Sequence, residues 1–427
     1  MGAPEILVEK SGIPQSEKEK FHRQIASWAG EGLRVVGLAI KTGRQISAIK
    51  HGQIKDVRFL GLIGFADPVR AGVKESLALC RDAGISVKVV TGDYRLTAQA
   101  VMKQVGLPIT DAQTQIVDGE TLSHLSQSEL EKRVDEIILF ARVSPSQKLA
   151  VVEALKARGH VVGLLGDGVN DAPAIKRADV GIVVGEASDV ARETADLVLL
   201  DSNFATIVAA VEEGRGIFIN IQKVLRYILS DTLAEVILLF LGMLFGTPLP
   251  LTAAQILWIN LVTDTFPTLA LTVEPKEAHL LRRKPIASNL PLLNKSMIGF
   301  MLLASFSSGI IIFGLFVYLL RSNVSLEAAR AVAFCAFGVK SLLYVFSLRH
   351  QRHFLWQKSP FTNRWLSAGV LVSFVIQIIG IYQPFLQGLL QTHPLGISEW
   401  GMVIGAGVLI VCCIESGKLV RKFIKSA

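Results

Sequence analysis

Cysteine is scarce in this 427-residue chain: Cys80, Cys335, Cys412 and Cys413 form no CxxC pair and no metal-ligand spacing. That excludes a disulfide scaffold and a zinc site, and it leaves reduced, buried thiols as the expectation. No GKS or GKT phosphate loop occurs, and GLLGDG (163–168) is not a GxGxxG fingerprint, so neither nucleotide-binding loop is indicated. The start, MGAPEILVEK, has no basic region followed by an apolar core, and no secretory signal is read there. Basic residues do not gather into a dense tract interleaved with aromatics, so the net charge of +8 does not point to a nucleic-acid partner. Charged residues are only 19% of the chain against 51% hydrophobic, too apolar a balance for an ordinary soluble protein.

The character of the sequence changes near residue 222. Before it, short strand-like runs alternate with amphipathic helical stretches such as 70–83, 94–105 and 145–158. The strand candidates are 33–40, 59–67, 85–93, 136–143, 161–167, 180–185 and 197–201. This alternation predicts a parallel sheet covered on both faces, with the polar stretch 108–127 as a loop insertion. After residue 222 come six apolar stretches, near 224–246, 253–273, 296–320, 328–348, 365–386 and 400–420. Each has the roughly 20 residues needed to cross a bilayer. With the first half in the cytosol, the cytosolic loops carry Lys276, Arg282, Arg283, Lys284, Lys295, Arg349, Arg352, Lys358, Lys418, Arg421, Lys422 and Lys425, whereas the opposite side carries only Arg321. That asymmetry follows the positive-inside rule and puts both termini in the cytosol. The run 204–242 holds no proline and predicts one helix of about 60 Å at 1.5 Å per residue, softened at Gly214 and Gly216.

Two places concentrate chemistry. In VVGLLGDGVNDAPAIKRADVGIVVG (161–185), apolar β-branched runs flank a turn with Asp167 and Asp171. Such a turn sits at a strand's carboxyl end, where open α/β sheets place ligands. Two carboxylates among glycines suit a hard cation such as Mg²⁺ with a phosphate, the alternative being that Asp167 or Asn170 merely caps helix 170–177. In the apolar half, Asp231 and Glu235 lie in the first span, and Asn260, Thr263 and Asp264 in the second. Acids at bilayer depth usually mark an ion path, and carboxylate, amide and hydroxyl oxygens make a hard-cation site; the alternative is polar groups that hold helices together. Asn260 and Asp264, four apart, are expected on one helix face. Lys340 is read as an internal counter-ion or as pointing into a watery gap, and Glu415 as snorkelling.

TGD (91–93), FARVSPSQK (140–148), GDGVNDAP (166–173) and LWINLVTD (257–264) occur in that order. Together they resemble the second half of a type II P-type cation-transporting ATPase, the calcium and sodium–potassium pump group. GAPE (2–5) and GLRVVGLA (32–39) resemble the end of that family's nucleotide-binding domain, and FADPVR (65–70) its hinge motif. The resemblance implies a haloacid-dehalogenase-like, Rossmann-type α/β cytosolic domain followed by a six-helix transmembrane bundle. The domains would be 1–58 as the end of the nucleotide domain, 59–222 as the phosphorylation domain and 223–427 as the membrane domain, in a multi-pass protein of the plasma membrane. Thr91, Gly92, Asp93, Lys148 and Asn170 would bind the transferred phosphoryl group, Asp167 and Asp171 Mg²⁺, and Arg34 and Arg142 the nucleotide of ATP. Glu235, Asn260, Thr263, Asp264 and Thr232 would bind the transported cation, in a calcium-like pattern that leaves Na⁺/K⁺ and others open.

The departures from the family pattern are as informative. DKTGT, which carries the phosphorylated aspartate, does not occur in these 427 residues, nor do the TGE loop and the PEGLP-type helix. Leu165 stands where the family has threonine, Met1 where KGAPE has lysine, and Asp231 is an added acid. Three readings follow: the carboxy-terminal half of a cation pump, catalytic only with a separately supplied amino-terminal half or as a fragment of a longer gene; a remnant or regulatory protein that associates with an intact pump; and a membrane-anchored phosphatase. The phosphatase ranks last because it needs the same missing aspartate.

Overall fold

The computed structural model describes residues 1–41, 57–66, 68–201, 203–277, 280–286, 291–349, 354–357 and 359–426, without the side chains of Trp356 and of 420–426. Asp67 of the hinge motif, Arg352 and Lys358, and the side chains of Arg421, Lys422 and Lys425, lie outside the described residues. The chain forms two units: residues 1–212 with 279–289, and residues 213–278 with 290–427.

In the first unit, β1 (Arg34–Ile40) and β2 (Arg58–Phe65) pair antiparallel, with Arg34 opposite Phe65 and Ile40 opposite Arg58. This corrects their expected place in a parallel sheet. A parallel partner needs a crossover, usually helical, and the sequence 41–57 carries no amphipathic helical stripe. The remaining strands are parallel as expected, but in two sheets rather than one. β3 (Val89–Val90), β4 (Ile116–Asp118) and β5 (Leu139–Ala141) run in the order β3-β5-β4; β6 (Gly163–Gly166), β7 (Val180–Val184) and β8 (Leu197–Leu199) in the order β6-β7-β8. Among the described residues neither β3 nor β6 has a second ladder partner. The expected loop 108–127 instead contains β4 and the helix Gly119–His124. Ile116 and Val117 are buried, but a three-residue strand in a polar stretch leaves too short an apolar run to register.

Helix Pro145–Ala157 starts where the chemistry of SPSQ dictates: Ser144 and Gln147 form a reciprocal capping box, with proline in the first turn. Acids anchor the strand starts: Asp179 accepts from the Val162 amide at 2.9 Å and Asp196 from the Gly181 amide at 2.8 Å. Burial alone would raise the Asp179 carboxyl, but Lys156 and that amide hold it below its ordinary value.

In the second unit five helices, by length and composition, could cross a membrane: Phe204–Leu244, Lys295–Arg321, Leu326–Leu348, Arg364–Tyr382 and Ile397–Leu419. The first runs 41 residues, unbroken at Gly214 and Gly216. Asn294, Ser325 and Asn363 cap the three middle helices by accepting amides of their first turns. Leu326–Leu348 is the central element: every residue from Ala331 to Leu342 is buried. The expected span 253–273 is not one α-helix but Ala253–Trp258, a π-turn at Ile259–Thr263, and Thr265–Thr272. Pro267 cannot donate to the Thr263 carbonyl four residues back, and the Ser373 hydroxyl donates to that carbonyl instead, at 2.8 Å. Of the thiols, Cys80 and Cys335 are buried, whereas Cys412 is exposed and Cys413 half-buried, which corrects the expectation for that pair.

Candidate functional site

The loops after β3 and β6 and the first turn of helix Pro145–Ala157 open on one cavity of about 580 Å³, lined among others by Arg70, Thr91, Asp93, Lys148, Asp167 and Asp171. The β3 loop is pinned from below: the Thr91 amide donates to the Phe140 carbonyl at 2.8 Å, and the Val143 amide donates to the Thr91 carbonyl at 3.1 Å. The Thr91 hydroxyl accepts from the Asp93 amide at 3.0 Å. Lys148 donates to Asp171 Oδ1 at 2.6 Å. Gly166 is required here: a Cβ would stand 2.9 Å from Asp171 Cβ and 3.1 Å from Ile175 Cδ1.

The helix that follows the GDGVND turn is Ala172–Arg177, with Asp171 at its N-cap and no side-chain capping bond, so Asp167 and Asn170 do not cap it. Asp167 and Asn170 are exposed, as is Gly92 between the two cavity-lining residues of its loop. Among the described residues no group of three His, Cys, Asp or Glu gathers as a metal cluster. The oxygen donors at the cavity are the carboxylates of Asp93, Asp167 and Asp171 and the hydroxyl of Thr91, the hard set that Mg²⁺ takes together with waters and phosphate oxygens. Arg34 and Arg142 do not line the cavity. Arg142, at φ 52°, stacks on the Tyr94 ring at 4.7 Å and reaches Glu5 at 3.4 Å, tying the GAPE helix to the β5 end. Arg70 carries no signal in the sequence beyond its place in the hinge motif.

In the helical unit, the π-turn at Ile259–Thr263 carries Asn260 and Thr263, with Asp264 directly after it. Asn260 donates to Glu235 Oε1 and Oε2 at 3.1 and 3.0 Å. Thr263 donates to Gln377 Oε1 at 3.1 Å, and Asp264 accepts from Tyr227 at 3.0 Å and Ser341 at 2.6 Å. Asn260 and Asp264 both meet residues of helix Phe204–Leu244, Asn260 through Glu235 and Asp264 through Tyr227, in keeping with the face expected for them. Asp231 accepts from Lys340 at 2.6 Å and from Ser341. Thr232 lies on the exposed side of its helix, outside this network. Lys340 is buried and paired, so it does not point into a watery gap. Glu415 does not snorkel either: it is buried, accepting from Ser347 at 2.5 Å and Lys418 at 2.7 Å. Tyr227, Ser341, Ser373 and Gln377 do not stand out in the sequence, because isolated polar residues within apolar runs look ordinary.

A haloacid-dehalogenase-like domain joined to membrane-length helices defines a class, and likeness to known proteins narrows it. Residues 13–179 match the family described as haloacid dehalogenase-like hydrolase, and 248–420 match "Cation transporting ATPase, C-terminus". The chain is 36% identical to the calcium-transporting ATPase of Bacillus subtilis, over 99% of this chain and 48% of that protein. It is 38% identical to the probable cation-transporting ATPase F of Mycobacterium tuberculosis, over 85% of this chain and 40% of that one. With the mouse calcium-transporting ATPase type 2C member 2 it shares 36% identity, over 99% and 44%. The chain belongs to the P-type cation-transporting ATPases, is an integral membrane protein, and spans about half the length of the curated relatives it matches.

Proposed function

We propose that this chain supplies the phosphoryl-binding corner and most of the cation ligands of an ATP-driven cation pump, with a calcium-like ion as cargo. The observation that carries the reading is the cavity between the ends of β3 and β6, where Thr91, Asp93, Lys148, Asp167 and Asp171 converge beside two strands that each have one free edge among the described residues. A strand bearing the DKTGT aspartate, from an amino-terminal pump segment, fits between those edges; on its own the 427-residue sequence holds no such nucleophile. Lys148 and the Thr91 hydroxyl then meet the spread negative charge of the transferring group, with Gly92 and Asn170 flanking it. Asp167 and Asp171 are the residues to hold Mg²⁺, which when bound neutralises phosphoryl oxygens. Arg34 and Arg142 are assigned to the ATP nucleotide from the resemblance alone. The interrupted segment 253–272 counts as a span here, giving six spans with cytosolic termini, in the plasma membrane. Glu235, Asn260, Thr263 and Asp264 are the cation ligands, and Thr232 joins them only if its exposed face is covered by further helices. The relatives' names, calcium-transporting in two of three, favour calcium as cargo.

The test is phosphorylation by labelled ATP in membranes that contain the chain with or without a DKTGT-bearing amino-terminal segment of a relative. Hydroxylamine-labile phosphate should form only with that segment and disappear in Asp167→Ala. Absence of labelling in a stable two-part complex would favour the regulatory reading instead.

A further inference from the structure

Lys340 is the one ammonium packed among the acids of the ion-ligand cluster within the described residues, and the proposed transport role does not use it. Its side chain and that of Asp231 are each 2% exposed, 2.6 Å apart, on helices Leu326–Leu348 and Phe204–Leu244. The ammonium also lies 4.3 Å from the Phe337 ring centre and 5.9 Å from that of Tyr344. The neighbouring oxygens are crowded: Ser341 Oγ contacts Asp231 Oδ2, Asp264 Oδ1 at 2.6 Å and Tyr227 Oη at 2.6 Å, and Tyr227 Oη contacts Asp264 Oδ1 at 3.0 Å. Two hydroxyl protons serve these four contacts, so hydrogen bonding alone does not offset two carboxylates in a buried setting. Glu235, bound by Asn260, brings the acids to three against one ammonium.

We infer that Lys340 is a tethered cation: its ammonium permanently fills a position beside Asp231 and leaves Asp264, Glu235 and Asn260 to a single exchangeable ion. The position it fills has a carboxylate on one side and aromatic faces on the other, the surroundings that suit a weakly hydrated monovalent cation of ammonium size rather than a strongly hydrated divalent one. A ligand set with this lysine therefore handles one mobile charge fewer than the same acids would without it. The inference about transport stoichiometry rests on the pump reading; the tethering itself does not.

The test uses the whole chain in detergent, with thermal unfolding read in choline chloride, ammonium chloride and calcium chloride at equal ionic strength. Lys340→Met keeps the apolar bulk and removes the charge. It should melt several degrees below the unsubstituted chain in choline chloride, and ammonium should restore a saturable part of that loss, with calcium less effective. The unsubstituted chain should not respond to ammonium. The double variant Lys340→Met with Asp231→Asn removes the opposed charge, so it should melt above the single variant and be indifferent to ammonium. If Lys340→Met folds too poorly to melt, recovery of monodisperse protein in the double variant supports the inference in the same way. A Lys340→Met chain as stable as the original, an ammonium response shared by all three proteins, or a double variant no better than the single would each overturn the inference. Failure of the pump reading would show elsewhere, as no effect of Asp264→Asn on calcium binding.

Discussion

Asp167 and Asp231 are the same residue type in opposite settings: one is exposed at the rim of an open cavity and the other is 1% exposed inside a helix bundle. The cavity of the first unit leaves Asp167, Asp93 and Asn170 open to water, and only Lys148 and Asp171 close on each other. In the helical unit Asp231, Glu235, Asp264 and Lys340 are all buried and each has hydrogen-bond partners. Water stabilises a bare carboxylate at the cavity rim at little cost, whereas an unpartnered ion within a bilayer costs several kcal/mol. On the proposed reading, the first site thus keeps donors available for a phosphoryl group, while the second satisfies its charges internally until a cation replaces a protein partner. Substitutions of charged side chains should divide along the same line: exposed ones at the cavity lose chemistry with little change in stability, and buried ones in the bundle lose stability.

The largest effect is expected at the cavity. In membranes where the chain is complemented by the DKTGT segment, Lys148→Ala or Asp167→Asn should lower the rate of labelling by ATP about 10²–10³-fold. Unfolding temperature should scarcely move for Asp167→Asn, because its side chain is exposed. A comparable loss of stability would break the contrast.

Next comes a buried ion pair. Arg349 donates to Glu274 at 2.7 Å and to the Thr362 hydroxyl at 2.6 Å, with Asn363 on the other carboxylate oxygen at 2.7 Å. Arg349→Met should cost about 3–5 kcal/mol in detergent unfolding, because it leaves a buried carboxylate without its main counter-charge. Arg177→Met, which breaks the exposed Arg177–Glu153 pair of the first unit, should cost about 0–1 kcal/mol. Equal costs would show that the two units do not differ in this way.

Gly166→Ala should be intermediate, about 1–3 kcal/mol by overpacking, since its new methyl meets Asp171 and Ile175. It should also weaken labelling, by displacing Asp171 from Lys148; intact stability and labelling together would contradict the geometry. The smallest effect is Ser373→Ala, about 1 kcal/mol or less, because the Thr263 carbonyl loses one donor in a segment already broken by the π-turn.

How much of this is legible in the sequence follows from locality. TGD, SPSQK and GDGVND read as one site because strand-end loops are marked by glycines, acids and a capping serine within a few residues, and all three motifs do reach the same cavity. β4 does not show, being three residues long. The split into two sheets is not visible in the alternation of strands and helices, which reports parallel connection but not which edges meet. In the bundle, charge at bilayer depth singles out Glu235 and Asp264, yet the break in the regular helix at 259–263 does not show in the apolar period. The available signal is Pro267, which removes a backbone donor just beyond Asp264. The setting of Glu415 is hidden because position along a span says nothing of partners; Ser347 and Lys418 lie 68 and three residues away.

If the cavity and the buried acids belong to one energy-coupled pump, as proposed, phosphorylation at the first depends on the cation held by the second. In membranes containing the complemented chain, labelling by ATP should rise with added calcium, and Asp264→Asn should shift the calcium required upward by about tenfold or more, as one charge-assisted ligand is worth at least about 1.4 kcal/mol. Labelling that ignores calcium, and that Asp264→Asn leaves unchanged, would contradict a coupling between the two sites.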